Sequence, residues 1–225
     1  MEIDFFKQDK TARSGDAKQD LLNQTGASKR FTENYMQFGF DYFDNPDLHV
    51  GYGGYHYDGR YYQSVLTMIQ HYELKPGARV LEVGCAKGFV LIEFHKLGFD
   101  VRGVDASEYA VSHAHPDLVE KIQMGNIQNL PFPDHTFDLV YSKEVLPHVP
   151  VEDLDTGVLE CIRVSKGQLF FDIQCGESEL EIKKLKEWDG THQVMETPEW
   201  WRFRLNSLNY PGDLHFKILI PDKGR

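Results

Sequence analysis

The sequence predicts an α/β protein with a doubly wound, mostly parallel sheet of six or seven strands and helices on both faces. The apolar run 79–83 is typical of a strand, and it ends in a tight small-residue turn followed by a helix. A second apolar run ends at Asp105, 21 residues beyond Gly84. Further along, strand-like and helix-like segments alternate, which implies parallel strands joined by right-handed crossovers.

Periodicity and turn residues define the elements in order. Apolar residues at helical spacing predict a helix over 62–72. Gly98 suits the end of a helix over 88–97, and Ser107 suits the start of the next one. The predicted strands are 79–83, 100–104, 122–124, 137–141, 168–173 and 213–220. Later helices are predicted over 152–161, over 177–188 and after Thr197.

The turn after the first strand has the pattern Glu82-x-Gly84-x-Ala86-x-Gly88. A nicotinamide or flavin fingerprint needs a small residue where this chain has Phe89. The loop instead resembles motif I of the class I S-adenosylmethionine-dependent methyltransferases, with alanine where many members have glycine. Alanine fits there only if its φ is negative and its methyl group avoids the ligand, so we expect a negative φ at Ala86.

The resemblance continues over residues 75–175. Asp105 matches the ribose-binding acid of the family, and Asn126 and Ile127 match the pair that meets adenine, with an amide oxygen that can accept from the adenine amino group. The resemblance implies a Rossmann-like fold and S-adenosyl-L-methionine as cofactor, with S-adenosyl-L-homocysteine as product. The cofactor-binding set that it implies is Glu82, Gly84, Cys85, Ala86, Gly88, Asp105, Ala106, Asn126, Ile127 and Ser142.

We expect three regions along the chain. These are a mobile N-terminal arm over 1–30, an N-terminal lid and helical segment over 31–75, and the Rossmann-like methyltransferase domain over 76–225. Phe5 and Phe6 could anchor the arm.

The lid prediction comes from aromatic residues interleaved with glycines over 31–61. Such a segment suits a loop that covers a ligand, although it equally suits packing of the N-terminus on the sheet. We assign Tyr55 to the cofactor site. Arg60 could clamp the carboxylate of the cofactor with both arms of its guanidinium group.

Length, composition and charge exclude several classes of protein. A chain of 225 residues suits one core, and no apolar run is long enough to span a bilayer. The net charge of −11 disfavours nucleic acid as a partner. Three dispersed cysteines give no disulfide framework or zinc site, and no motif commits acidic residues to a metal. We therefore expect a soluble, cytoplasmic protein without a metal, disulfide or membrane partner.

Three residues are candidates for catalysis: His192, Asp189 and His148. The turn Asp189-x-Thr191-His192 resembles a segment of methyltransferases associated with polysaccharide and sugar modification, with Gly190 in place of proline. In one interpretation Asp189 orients His192, which takes a proton from the acceptor hydroxyl. In the other, Asp189 and Thr191 only form the turn and His192 fills the end of the sheet. His148 matches a histidine that is frequent after the fourth strand in small-molecule members.

These observations favour methyl transfer to a small molecule, with O-methylation of a sugar, nucleotide sugar or secondary metabolite as the first hypothesis. N-methylation of an amino sugar is a close variant. A non-catalytic S-adenosylmethionine-binding protein is the alternative. An RNA methyltransferase is disfavoured by charge and by the sequence at 141–144, which lacks the expected Asn/Asp-Pro-Pro-Tyr pattern. The tail has one convincing strand, so an exposed sheet edge would invite pairing into a homodimer.

Overall fold

The computed structural model describes residues 1–7, 31–48 and 51–218. Its sheet has six strands in the order β3-β2-β1-β4-β5-β6, and every neighbouring pair is parallel. The strands are β1 Arg79–Val83, β2 Asp100–Asp105, β3 Ile122–Met124, β4 Leu139–Lys143, β5 Leu169–Cys175 and β6 Asp213–Ile218. The doubly wound α/β prediction is confirmed. The order reverses between β1 and β4, where open parallel sheets bind ligands.

Eight α-helices lie in the described ranges. They are α1 Glu33–Met36, α2 Phe40–Phe43, α3 Tyr62–His71, α4 Leu91–Lys96, α5 Glu108–Ser112, α6 Val151–Val164, α7 Glu179–Trp188 and α8 Pro198–Ser207. Ser107 caps α5, because its hydroxyl oxygen accepts from the Ala110 amide at 2.9 Å. α4 begins three residues later than predicted, since the turn continues through Gly88 with a φ of 80°.

Two apolar layers enclose the sheet, which explains why its strands are apolar on both faces. Val80 faces a cluster that includes α3, α4, Phe5 and Phe6. Its neighbour Leu81 points to the opposite face and packs in the cluster of α6 and α8, which includes Trp201. None of the helices in the described ranges is both long and apolar enough to cross a bilayer.

The first described residues run along β6. The Ile3 amide donates to the Leu214 carbonyl at 2.8 Å, and the Leu214 amide donates to the Met1 carbonyl at 2.9 Å. Phe5 is buried, with its ring 4.8 Å from that of Phe170. This segment thus occupies part of the sheet edge that the sequence suggested was open. Residues 8–30 of the predicted arm and residues 219–220 of the predicted last strand lie outside the described residues.

Candidate functional site

A cavity of about 400 Å³ opens at the carboxyl ends of β1, β2 and β4, where the strand order reverses. The ends of these strands and the turn after β3 form its floor, and aromatic residues from 38–52 form its roof. The floor residues used below are Gly84, Ala86, Asp105, Ala106, Asn126, Ile127, Lys143, Glu144, Val145 and His148. The roof residues are Phe38, Tyr42, Phe43 and Tyr52.

The glycines of the loop after β1 have different tasks. Gly84 has a φ of 75°, and a Cβ atom there would lie 2.1 Å from the nearer methyl carbon of Val145. Gly84 therefore lets the backbone border the cavity. Gly88 has a φ of 80°, and a Cβ atom there would lie 2.6 Å from Cδ1 of Ile122, so this glycine serves packing on β3. Cys85 is buried beside Gly103, so its side chain packs against β2.

Ala86 corrects a sequence expectation, because its φ is 48° rather than negative. Its amide donates to Oδ2 of Asp105 at 2.6 Å. The backbone must turn this amide toward β2, and the left-handed conformation achieves it at a cost of about 1–2 kcal/mol for a residue with a Cβ atom. Ala86 belongs to the apolar cluster that includes Tyr35, Tyr42 and Phe43. Alanine is thus accommodated with strain.

Asp105 fixes the loop and faces the cavity at the same time. Its Oδ1 accepts from the Ser107 amide at 2.8 Å, while Oδ2 accepts from Ala86. Burial raises the pKa of Asp105, although these two amides favour the charged form. Each carboxylate oxygen has a second lone pair, so the group can still accept from a diol.

The roof is fastened to the loop by an ion pair. Nζ of Lys87 lies 2.5 Å from Oδ2 of Asp44 and donates to the Tyr55 carbonyl at 3.0 Å. The Tyr109 hydroxyl donates to the same Asp44 oxygen at 2.7 Å. Burial opposes the charge of Asp44, yet these donors hold its pKa below the ordinary value. The 31–61 segment thus does both things the sequence left open, covering the cavity and packing on the domain.

His148 lies at the cavity wall beneath the roof. Its Nδ1 is 2.9 Å from the Thr191 hydroxyl oxygen, and that hydroxyl donates to Oδ1 of Asp189 at 2.6 Å. The Thr191 amide donates to the same oxygen at 2.9 Å, and the Tyr42 hydroxyl donates to Oδ2 at 3.3 Å. Burial and the neighbouring His192 lower the pKa of His148 to about 4. His148 is therefore neutral at pH 7.

His192 stacks on His148 with ring centroids 4.6 Å apart, but it is absent from the cavity wall. Its Nε2 lies 2.8 Å from Oε1 of Gln174, and its Nδ1 lies 3.2 Å from the Leu185 carbonyl. The structure does not form the predicted pair in which Asp189 orients His192. The reason is that the Asp189 carboxylate is engaged by Thr191 and Tyr42.

Asp189, His148 and His192 offer side-chain donor atoms within 4.8 Å of one another. Hydrogen bonds from Thr191 and Tyr42 engage both oxygens of Asp189. We interpret the group as a hydrogen-bonded network, and the expectation of no metal remains a prediction.

Residues 81–171 match the family model described as "Methyltransferase domain". By this match, residues 81–171 form a methyltransferase domain. A sterol 24-C-methyltransferase, ERG6B of Gibberella zeae, is 30% identical over 139 residues, which are 53% of this chain and 37% of the relative. The 2-methyl-6-phytyl-1,4-hydroquinone methyltransferase of Synechocystis sp. is 38% identical over 98 residues, covering 41% of this chain and 30% of the relative. The chain thus spans about a third of the length of these relatives.

A solved structure, the YcgJ protein of Bacillus subtilis, has the same fold as the methyltransferase domain. The two share 22% sequence identity with a TM-score of 0.54, over 64% of this chain and 66% of that one.

Six residues that the family resemblance or the lid hypothesis assigned to the cofactor do not line the cavity: Glu82, Cys85, Gly88, Ser142, Tyr55 and Arg60. Glu82 is buried, which raises its pKa to about 8. The Tyr55 ring packs on that of Phe89, at 4.6 Å between centroids. Arg60 pairs with Asp58 at 2.6 Å, so the structure places its guanidinium group on a neighbour in its own turn.

Sequence reasoning missed a partly buried ion cluster at the cavity floor. Glu144 accepts from Lys143, from Gln174 and, at 2.5 Å, from Lys217. Lys143 and Glu144 border the cavity. Lys143 and Glu144 are adjacent, but Lys217 is 73 residues from Glu144, so no local pattern signals the cluster.

Proposed function

We propose that this protein is an S-adenosylmethionine-dependent methyltransferase acting on a small molecule. The observation that carries the proposal is the convergence of Gly84, Asp105 and Asn126 on one cavity. Their residue types suit the cofactor: a backbone that a ligand can approach, a carboxylate for a diol and an amide for adenine. When bound, the cofactor supplies an electrophilic methyl group on a sulfonium ion.

The residues of the chain would share the binding task. Asp105 would hold the ribose hydroxyls while its amide contacts keep the loop in place. Asn126 and Ile127 would border the adenine ring, and Gly84 would lie against the amino-acid end. Phe38 and Tyr42 would close the site, because their rings cover the cavity and exclude water.

A small-molecule acceptor is favoured by two observations. The sterol and hydroquinone methyltransferases to which the chain is similar are named for small molecules. The roof is built from tyrosine and phenylalanine rings, which suit the apolar faces and hydroxyl groups of sugars or phenols. Within this class we propose O-methylation of a sugar, nucleotide sugar or secondary metabolite, on the strength of the Asp189-x-Thr191-His192 turn.

The same proposal includes a cytoplasmic location and no nucleic-acid partner, both resting on composition and the net charge of −11. A homodimer through the β6 edge gains no support, since Met1 and Ile3 pair with Leu214 there.

Calorimetry with S-adenosylmethionine and S-adenosylhomocysteine tests the cofactor part of the proposal. Asp105→Asn keeps the shape but weakens acceptance from a diol, and we expect roughly 10-fold to 100-fold weaker binding. Asp100→Asn, at a half-exposed position on the same strand, is the matched control and should bind normally. Absence of heat with both compounds, in protein that melts cooperatively, would refute the proposal.

Turnover tests the acceptor part. S-adenosylhomocysteine production is measured with panels of sugars, nucleotide sugars and phenols, each beside the corresponding amine. Production with hydroxyl compounds supports the O-methylation proposal. S-adenosylhomocysteine production only with amines would replace the O-methylation proposal with N-methylation, and production only with RNA would replace it with RNA methylation.

A further inference from the structure

We propose that Asp189, Thr191 and His148 form a relay that holds Nε2 of His148 unprotonated as the proton acceptor for a hydroxyl substrate. The inference rests on the proposed methyltransferase function and narrows its acceptor to compounds that lose an O–H proton. In this arrangement His148 is the catalytic residue, while Thr191 and Asp189 are positioning residues.

The direction of each hydrogen bond follows from chemistry. Asp189 accepts two hydrogen bonds from Thr191, one from the amide and one from the hydroxyl. A hydroxyl carries one proton, so the Thr191 oxygen can only accept from a second partner. That partner is Nδ1 of His148, at 2.9 Å. His148 must therefore carry its proton on Nδ1, which leaves a lone pair on Nε2.

The relay is built on a rigid frame. His148 ends the short 3₁₀ turn Leu146–His148, and the Pro147 carbonyl accepts from the amides of Gln193 and Val194 at 2.8 and 2.9 Å. These bonds join the turn that carries Thr191 directly to the turn that carries His148. Thr191 is 3% exposed and Asp189 is 5% exposed, so water does not compete for the bonds.

The neighbours of His148 are aromatic rings and titratable groups. His192 stacks on one face, Tyr42 and Phe38 meet it edge-on, and Glu144 lies at the same cavity wall. Asp189 supplies the nearest buried negative charge through Thr191. An imidazolium formed on His148 would thus be stabilised by a carboxylate one hydroxyl away.

The reaction balances with these groups. The acceptor O–H bond breaks and its proton joins Nε2, an O–C bond forms, and the C–S bond of the methyl donor breaks. The positive charge that leaves sulfur ends on the His148 imidazolium, which returns its proton to water after product release. A positioned base of this kind contributes about 10²-fold to 10⁴-fold to the rate.

Nitrogen NMR of ¹⁵N-histidine-labelled protein at pH 7.5 tests the relay without any acceptor. His148→Gln assigns the His148 signals, and His192→Gln separates those of its neighbour. We expect a protonated Nδ1 and an unprotonated Nε2 on His148. A proton on Nε2, or on both nitrogens, would overturn the inference.

Substitution of Thr191 tests the coupling. Thr191→Val removes the acceptor at nearly constant shape and should shift His148 toward a mixture of tautomers, whereas Thr191→Ser should restore the wild-type pattern. Thr191→Ala replaces the valine variant if that variant does not fold. Unchanged His148 signals in the variant that folds would exclude Thr191 from the relay.

Two controls separate this inference from the proposed function. Tyr42→Phe removes the other hydroxyl on Asp189 and should leave the His148 tautomer unchanged; loss of the tautomer preference would contradict the relay through Thr191. S-adenosylhomocysteine calorimetry on the same samples tests the proposed function separately. Protein that binds no S-adenosylhomocysteine but has the expected tautomer would refute the proposed function, and with it the catalytic role of His148, while it would confirm the hydrogen bonds from Asp189 to His148.

Discussion

The two sides of the cavity are encoded differently in the chain. The side that we assign to the cofactor comes from three short segments, at the ends of β1 and β2 and after β3, and each has its own local sequence pattern. The opposite wall joins His148 to Thr191, 43 residues apart, and Glu144 to Lys217, 73 residues apart. The residues that we assign to cofactor binding are thus recognisable from local sequence, whereas the contacts of the proposed relay depend on the tertiary fold. The two sides should therefore respond differently to substitution.

Gly84→Ala should have the largest effect, because it combines an unfavourable φ with a clash against Val145. We expect a loss of about 3 kcal/mol in the free energy of unfolding, together with loss of S-adenosylhomocysteine binding. Urea denaturation and calorimetry measure the two effects. Gly77→Ala is the control, since Gly77 has a φ of 84° but open space around it, and it should lose about 1 kcal/mol. Equal losses in the free energy of unfolding of the two variants would mean that the Val145 side chain moves aside without a measurable cost.

Lys87→Met tests the ion pair that joins the aromatic roof to the loop after β1. It leaves the Asp44 carboxylate, which is 23% exposed, without its cation, and we expect a loss of about 2 kcal/mol in the free energy of unfolding. Adding Asp44→Asn should recover part of that loss. Lys183→Met, at a 72% exposed lysine, is the matched control and should change stability little. Thermal and urea unfolding of the wild type and the three variants measures these changes. Equal losses of stability in the Lys87 and Lys183 variants would contradict a stabilising role for the Lys87–Asp44 ion pair.

His148 should make the protein sensitive to acid. Its pKa is about 4 when folded against an ordinary value of 6.5, so the unfolded chain binds this proton first as the pH falls. The stability linked to His148 is present above pH 6.5 and is lost between about pH 6.5 and 4, with roughly 2 kcal/mol gone by pH 5. The difference between wild type and His148→Gln, compared at pH 7 and pH 5, isolates this effect. A difference independent of pH would contradict a buried neutral imidazole.

Ala86→Gly should have the smallest effect, and it is a gain. Glycine removes the free-energy cost of the left-handed conformation at this position, and it also adds conformational entropy to the unfolded chain. Because the first effect is the larger, we expect the free energy of unfolding to rise by about 0.5–1 kcal/mol. Binding of S-adenosylhomocysteine should be unchanged or slightly stronger. A loss of stability on differential scanning calorimetry would show that the methyl contacts with Tyr35 and Tyr42 outweigh the strain.

The difference between the sides also explains what the sequence could predict. The glycine loop, Asp105 and the alternation of strands and helices depend on neighbours within one or two turns of chain, and the structure reproduces them. The φ of Ala86 could not be predicted, because the position of Asp105 decides it. Arg60 has Asp58 two residues away, a pairing that the clamp hypothesis did not weigh.

Contacts between side chains that are distant in sequence could not be predicted from local sequence patterns. Lys87 pairs with Asp44, which is 43 residues away, so no local pattern could signal this contact. The prominent histidine of the Asp189-x-Thr191-His192 turn points to Gln174, while the threonine between carries the contact with His148. Only the packing of that turn on Pro147 decides which histidine reaches the cavity.

The lysine within the glycine loop has one further consequence. Because Lys87 holds both Asp44 and the Tyr55 carbonyl, the aromatic roof cannot move away from the glycine loop without breaking these contacts. One ammonium group therefore ties the cover of the cavity to the loop at its floor, so a displacement of either one is felt by the other.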